Sequence, residues 1–158
     1  MLERIQDRTS SSIVLITHDL GVVAGVADRV LVMYAGCRVE EGTVDEIFYE
    51  PQHPYTLGLL ASLPRLDRSS GNTRLYRIKG QPPSLLHPPS GCSFHPRCDH
   101  ARLPDPCSTD TPALRPVGPD HVSACHFAEE LRATEIEALQ PEAWSSEAEE
   151  AAKEVEPP

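Results

Sequence analysis

The chain has 158 residues, 39% of them hydrophobic, with 16 prolines, 5 cysteines and a net charge of −10. That length supports one domain of ordinary size, and the hydrophobic share is low for a chain that packs tightly throughout. No basic patch points to nucleic acid, no apolar run approaches the ~20 residues of a membrane span, and the opening residues MLERIQDRTSSS hold no secretory apolar stretch. The expected compartment is the cytosol, where cysteines serve as metal ligands or free thiols more often than as disulfides.

In chain order, Leu2 and Ile5 fit the last turns of a helix ending near Asp7. Ile13 to Ile16 is an apolar run without polar alternation, which predicts a strand buried on both faces of a parallel sheet. Thr17, His18 and Asp19 follow at its carboxyl end, where open α/β sheets gather their chemistry, so His18 is a candidate site residue. The plainer alternative is a histidine that merely begins a turn. Leu20, Val23, Ala24 and Ala27 fall on one helical face that Asp19 can cap. Segments 29–34 and 38–43 are predicted to pair as a hairpin across Ala35, Gly36 and Cys37. Cys37 is read as a small turn residue with a free thiol. Thr43 and Glu46 form a capping-box pattern, so a helix is expected from Val44 with Ile47 and Phe48 buried.

Pro51 stops that helix and Pro54 fits the first turn of another, with Leu57, Leu60 and Ala61 on one face and Pro64 closing it. In Pro51 to Thr56, His53 beside an aromatic is either a contact residue or part of the helix-to-helix turn. Capping logic favours the turn, with Tyr55 packed between the two helices. Residues 65–74 read as a polar linker, Leu75 to Ile78 as a short strand, and Gly80 to Pro89 as extended or looped chain. Cys92, Cys98, Cys107 and Cys125 then lie in a Pro-rich stretch poor in apolar residues. Four thiolates can hold Zn²⁺ or an iron–sulfur cluster and so compensate for a weak core. No C-x-x-C pair occurs, and the spacing fits four buried or incidental thiols equally well. His95, His100, His121 and His126 are nearby as substitute ligands, or more simply as exposed residues. From Ala128 onward ten glutamates face Arg132 and Lys153, a net of −8. Phe127, Leu131 and Ile136 suit one short helix, and the remainder is expected to be disordered.

Two groups of motifs carry a family resemblance. THDLGVVAGVADRVLVMYAGCRVEEGTVDEIF resembles the C-terminal part of an ABC transporter nucleotide-binding domain. Pro51-Gln-His-Pro-Tyr-Thr56 and Gly91-Cys-Ser-Phe-His-Pro-Arg-Cys98 resemble the C-terminal extension of the oligopeptide/dipeptide importer branch, and the likeness runs from Met1 to Phe127. It implies an α/β fold in three parts. Residues 1–50 would be the C-terminal fragment of a P-loop NTPase domain, 51–127 a small loop-rich, Pro- and Cys-rich extension, and 128–158 an acidic tail, partly helical or disordered.

The same resemblance makes His18 the switch histidine, which faces the terminal phosphate of ATP. It makes Cys92, Cys98, Cys107 and Cys125 a metal site, read as a [4Fe–4S] cluster with Zn²⁺ as the alternative. ATP and Mg²⁺ would be bound only by the intact domain. Their cradle is G-x-x-x-x-G-K-[ST], and neither Lys79 nor Lys153 lies in such a loop. The signature motif is also missing, and Walker B would lie just before Met1 in a full-length relative. The chain is therefore expected not to hydrolyse ATP alone. In the intact complex it would be the ATP-binding subunit of a peptide importer. Its partners would be a second ATP-binding subunit, two membrane permeases and a substrate-binding protein. It would sit in the cytoplasm at the inner face of the membrane, without nucleic acid. Relatives move peptides, nickel or other small solutes. The alternative is a metal- or iron–sulfur-binding interaction or regulatory module without ATPase activity. In the parent sheet the strand at Ile13 to Ile16 would be central, so the chain is expected to aggregate or stay partly unfolded unless another polypeptide completes it.

Overall fold

The computed structural model describes residues 11–62 and 77–131. The first helix, α1 (Leu20–Val26), starts where Asp19 accepts the backbone N–H groups of Gly21 and Val22, at 3.0 and 3.2 Å. These are two of the donors that a helix start leaves without internal partners. The face foreseen from the spacing is the face used. Leu20, Val23 and Ala24 pack against the buried cluster of Ile47, Phe48 and Leu60.

Strands β1 (Arg29–Tyr34) and β2 (Cys37–Thr43) form the predicted hairpin, with Tyr34 opposite Cys37. The connection is one residue tighter than expected. Ala35 and Gly36 alone make the turn, with φ of 49° and 78°. Positive φ at both central residues is the signature of a type I′ turn, whose twist matches that of the strands. Cys37 thereby becomes the first residue of β2, and its thiol is free and exposed.

Helix α2 (Val44–Tyr49) opens on a complete capping box. The Thr43 hydroxyl accepts from Glu46 N–H at 3.2 Å, and the Glu46 carboxylate accepts from Thr43 N–H at 2.9 Å. Ile47 and Phe48 are buried as foreseen. Helix α3 (Pro54–Ala61) carries its proline in the first turn and buries Leu57 and Leu60. After it come a short 3₁₀ turn (His95–Arg97) and two-residue strands β3 (Arg115–Pro116) and β4 (Val122–Ser123). The sheet runs β1-β2-β4-β3, and every adjacent pair is antiparallel. Helices and sheet are thus mixed, as an α/β reading requires.

One expectation fails within the described residues. Ile13 to Ile16 is not a buried strand. It forms no ladder, and Val14 and Ile16 are 88% and 94% exposed. A strand buried on both faces needs a neighbour on each side and a layer on each face, and among the described residues nothing flanks this segment. The parallel arrangement expected around it is therefore not seen. The helix ending near Asp7, Pro64, the 65–74 linker, the first half of the strand at 75–78 and most of the acidic tail fall outside the described residues, and Arg77 and Ile78 form no strand. A helical turn does begin at 128–131. Among the described residues no helix is long and apolar enough to cross a membrane.

The capping box sets a direct expectation. Thr43→Ala removes the acceptor for Glu46 N–H and should cost about 1 kcal/mol, read as a lowered midpoint in thermal or urea unfolding.

Candidate metal centre

The cysteine-bearing loops are anchored to the hairpin by aromatic packing. Phe94, only 3% exposed, lies edge-on to Tyr34 at 5.1 Å between ring centroids and touches Tyr55 at 5.4 Å and His53 at 5.9 Å. Such tilted pairs add to simple area burial. Arg97 extends the anchor. Its guanidinium lies 5.9 Å from the Tyr34 ring centroid, donates to the Tyr34 hydroxyl at 3.2 Å, and holds the Lys79 carbonyl at 2.8 Å. Cys92 and Cys98, on either side of Phe94 and Arg97, pack against this cluster.

Gly91 lets the next loop approach. Its φ is 68°, and a Cβ there would stand 2.5 Å from the Cys107 carbonyl oxygen. The close fit allows Cys92 N–H to donate to that same carbonyl at 2.9 Å, joining the Cys92 and Cys107 segments. Cys125 arrives from the opposite side, two residues beyond β4.

All four cysteines line one cavity of about 20 Å³, walled in part by Phe94, Phe127 and Leu131. That is room for about one water molecule. Each sulfur accepts backbone N–H groups. Cys92 takes those of Phe94 and His95, and Cys98 takes that of His100. Cys107 takes Arg102 N–H and Cys125 takes Phe127 N–H, both at 3.4 Å. In three of the four, the donor includes the residue two positions on. Hydrogen bonds of this kind favour thiolate over thiol and tune sulfur-ligated centres.

Burial opposes them. It pushes the Cys98 thiol up to about 12 and the Cys125 thiol up to about 11, the N–H donors pulling back and the neighbouring cysteines pushing further. Cys92 is raised for the same first reason. Burial thus opposes ionisation of these three thiols, and a bound centre would have to displace their protons. Among the described residues no three His, Cys, Asp or Glu side chains converge as closely as a bound ion requires. The donor set thus fits a four-thiolate centre in its chemistry and its N–H cradle, while the sulfurs are not drawn together. All five cysteines are free.

The histidines sort differently from the expectation of exposure. His95, His100 and His126 are half-buried and line the cavity. His95 Nδ1 pairs with the Cys92 carbonyl and His126 Nε2 with the Asp110 carbonyl, each at 2.9 Å, so backbone fixes both rings. His121 is buried elsewhere, 2.8 Å from Glu40.

His53, weighed in sequence as a turn residue, serves both purposes. Its Nδ1 caps α3 by accepting from Tyr55 N–H at 3.1 Å, and its ring lines the cavity. Burial drives its pKa down to about 4, against a smaller upward pull from its hydrogen bond to the Ala124 backbone. Tyr55 packs on Tyr34 and Phe94 instead of between the two helices. His18, the other candidate, is exposed on the bend before α1 and does not line this cavity.

Residues 39–107 match the sequence model of the family described as "Oligopeptide/dipeptide transporter, C-terminal region". The chain is also similar to oligopeptide and dipeptide transport ATP-binding proteins. It is 46% identical over 125 residues to the oligopeptide transport ATP-binding protein OppD of Salmonella typhimurium, covering 79% of this chain and 36% of that protein. It is 58% identical over 101 residues to OppD of Bacillus subtilis, covering 64% and 28%. Against the dipeptide transport ATP-binding protein DppD of Lactococcus lactis it is 54% identical over 121 residues, covering 77% and 34%. The chain spans about a third of the length of these relatives. The matched family region holds Cys92, Cys98 and Cys107, while Cys125 lies beyond it.

Two outcomes follow from this site. Gly91→Ala must leave the left-handed region or collide with the Cys107 carbonyl, and should destabilise the fold by about 2 kcal/mol or more in denaturant unfolding. His53 is held neutral in the fold, so its contribution is complete above the unfolded value of 6.5 and is lost as pH falls from there through about 4. The loss should be on the order of 3 kcal/mol. Urea midpoints measured from pH 7 to pH 4 should fall more steeply for the wild type than for His53→Asn, which keeps a capping oxygen but does not titrate.

Proposed function

We propose that this chain is the distal part of the ATP-binding subunit of a peptide importer, coupling ATP hydrolysis to oligopeptide or dipeptide uptake in the intact complex. The observation that carries the proposal is the match of residues 39–107 to the family's C-terminal region. Residues 1–50 are read as the last part of the P-loop NTPase domain, 51–127 as the family's extension, and 128–158 as its acidic tail. The partners are a second ATP-binding subunit, two permeases and a substrate-binding protein, with this subunit peripheral at the inner face of the membrane.

His18 is assigned to the terminal phosphate of ATP. Its exposure, on a bend that Asp19 and Thr17 organise, leaves its ring accessible to a ligand. Catalysis of phosphoryl transfer is mostly positioning and charge stabilisation, and an imidazole there would hold the γ-phosphate and the attacking water. The nucleotide's β- and γ-phosphates and Mg²⁺ need a Gly-rich loop with its lysine. Neither lysine of this chain supplies it, so ATP turnover belongs to the assembled domain.

Cys92, Cys98, Cys107 and Cys125 are assigned to a [4Fe–4S] cluster, with Zn²⁺ as the alternative. The common cavity and the N–H cradle at each sulfur support the assignment. A centre of this type supplies a covalent-strength cross-link between loops, and as a cluster a reducible site. The chain's part is to yield its thiol protons on loading and to hold the sulfurs in an apolar shell.

One set of assays tests both assignments. The isolated chain should release no phosphate from ATP above buffer, whereas His18→Ala in the assembled importer should lower ATP turnover about a hundredfold. Turnover by the isolated chain that His18→Ala abolishes would overturn the assignment. Anaerobically purified protein should carry iron and acid-labile sulfide in equal amounts. Stoichiometric zinc without iron would replace the cluster with the alternative.

A further inference from the structure

The side chain of Glu40 is wholly buried in β2, a poor place for a carboxylate unless donors surround it. Three do. Its oxygens accept the backbone N–H groups of Gln52 and His53, the latter at 3.2 Å, and Nε2 of His121 at 2.8 Å. A carboxylate oxygen is an acceptor, so His121 Nε2 carries the hydrogen. These donors belong to the α2–α3 turn and to the approach to β4, two segments far apart in sequence.

The bonds close into a ring around the residue before Cys125. Glu40 holds His53 N–H, and the His53 ring is hydrogen-bonded to the Ala124 backbone. Ala124 N–H donates to the Val39 carbonyl at 2.8 Å, returning to the neighbour of Glu40. A second strut runs beside it. Ser123 pairs with Glu40 in the sheet, and its hydroxyl donates to the Gln52 carbonyl at 3.2 Å. Cys92 and Cys98 are seated by the aromatic cluster on the same hairpin. Cys125 is held from two sides, through Ala124 by the ring and by Arg115, whose guanidinium donates to the Cys125 carbonyl at 2.7 Å.

We infer that Glu40 is a positioning residue for the cysteine site: by gripping the α2–α3 turn and His121 it fixes Ala124 and thereby helps hold Cys125 on the cavity that the other three cysteines line. The inference rests on the reading of those cysteines as a metal site. Linkage is reciprocal. A centre that draws Cys125 inward tightens the ring, so occupancy of the site and closure of the turn at Gln52 and His53 form one coupled equilibrium. Metal loading is thus reported to the hairpin.

The test loads the full chain anaerobically with ferrous iron and sulfide and follows amide exchange. In the wild type, loading should slow exchange at Gln52, His53 and Ala124 as well as in the cysteine loops. Glu40→Gln keeps the shape but presents an amide where three donors converge. It should lose iron to a competing chelator on the order of tenfold to a hundredfold faster, with an altered visible spectrum in the fraction still loaded. If Glu40→Gln does not fold, the wild-type exchange decides alone. Loading that slows exchange only at the cysteine loops, with no change at Gln52 and His53, overturns the inference and leaves the metal reading intact. A wild type that takes up neither iron nor zinc defeats the metal reading itself, and the inference falls with it.

Discussion

The buried carboxylate of Glu40 is the constraint on which the rest of this small fold turns. Moving an ionised carboxylate out of water costs several kcal/mol even after relaxation, and only well-placed donors offset it. Here the donors come from the α2–α3 turn and from the residue that leads into β4. The group that cannot tolerate solitude therefore brings three distant stretches of chain together. Apolar packing alone is thin, since the buried residues fall into two small clusters that share Val32 of β1 as a neighbour. A fold of this kind gains specificity from a polar junction more than it gains net stability.

What was legible in the sequence is what local chemistry decides. Asp19, Thr43 with Glu46, and Pro54 each mark a helix start by satisfying or lacking N–H groups within a few residues, and each helix starts there. The hairpin was legible for the same reason, although a two-residue turn placed Ala35 in the left-handed region where Asn or Gly would be usual. Glu40 and His53 escaped because their meaning is nonlocal. A glutamate beside Val39 in an acidic strand looks like a solvent-facing residue, and nothing near it announces His121, 81 residues away.

The cysteines show the same division. Their number and residue type suggested a metal, but their spacing did not, because the approach of the loops is set by Gly91 and by aromatic packing instead of by a short knuckle. Three cysteines lie on segments that the Cys92–Cys107 backbone bond and the Phe94 cluster already tie together. The fourth follows β4, the strand paired with β2. A centre built this way joins a locally organised loop to a strand end, and its geometry is as good as the sheet register that places Cys125.

The strand expected at Ile13 to Ile16 failed for a reason that separates pattern from context. Four apolar residues in a row specify burial on two faces, but they do not supply the faces. The segment stays extended and its side chains meet water. β1, next but one in the chain, is in a similar position. It is an edge strand of the sheet, with Leu31 and Met33 about half exposed on its outer side. Two adjacent apolar pieces with the same unmet demand thus bracket α1. The described residues thus divide into a cysteine lobe that finds its partners within the chain and a His18-bearing apolar segment that finds none among those residues. In the proposed ATPase the lobe is the self-organised half, while that segment would acquire its geometry only within the assembled nucleotide-binding domain.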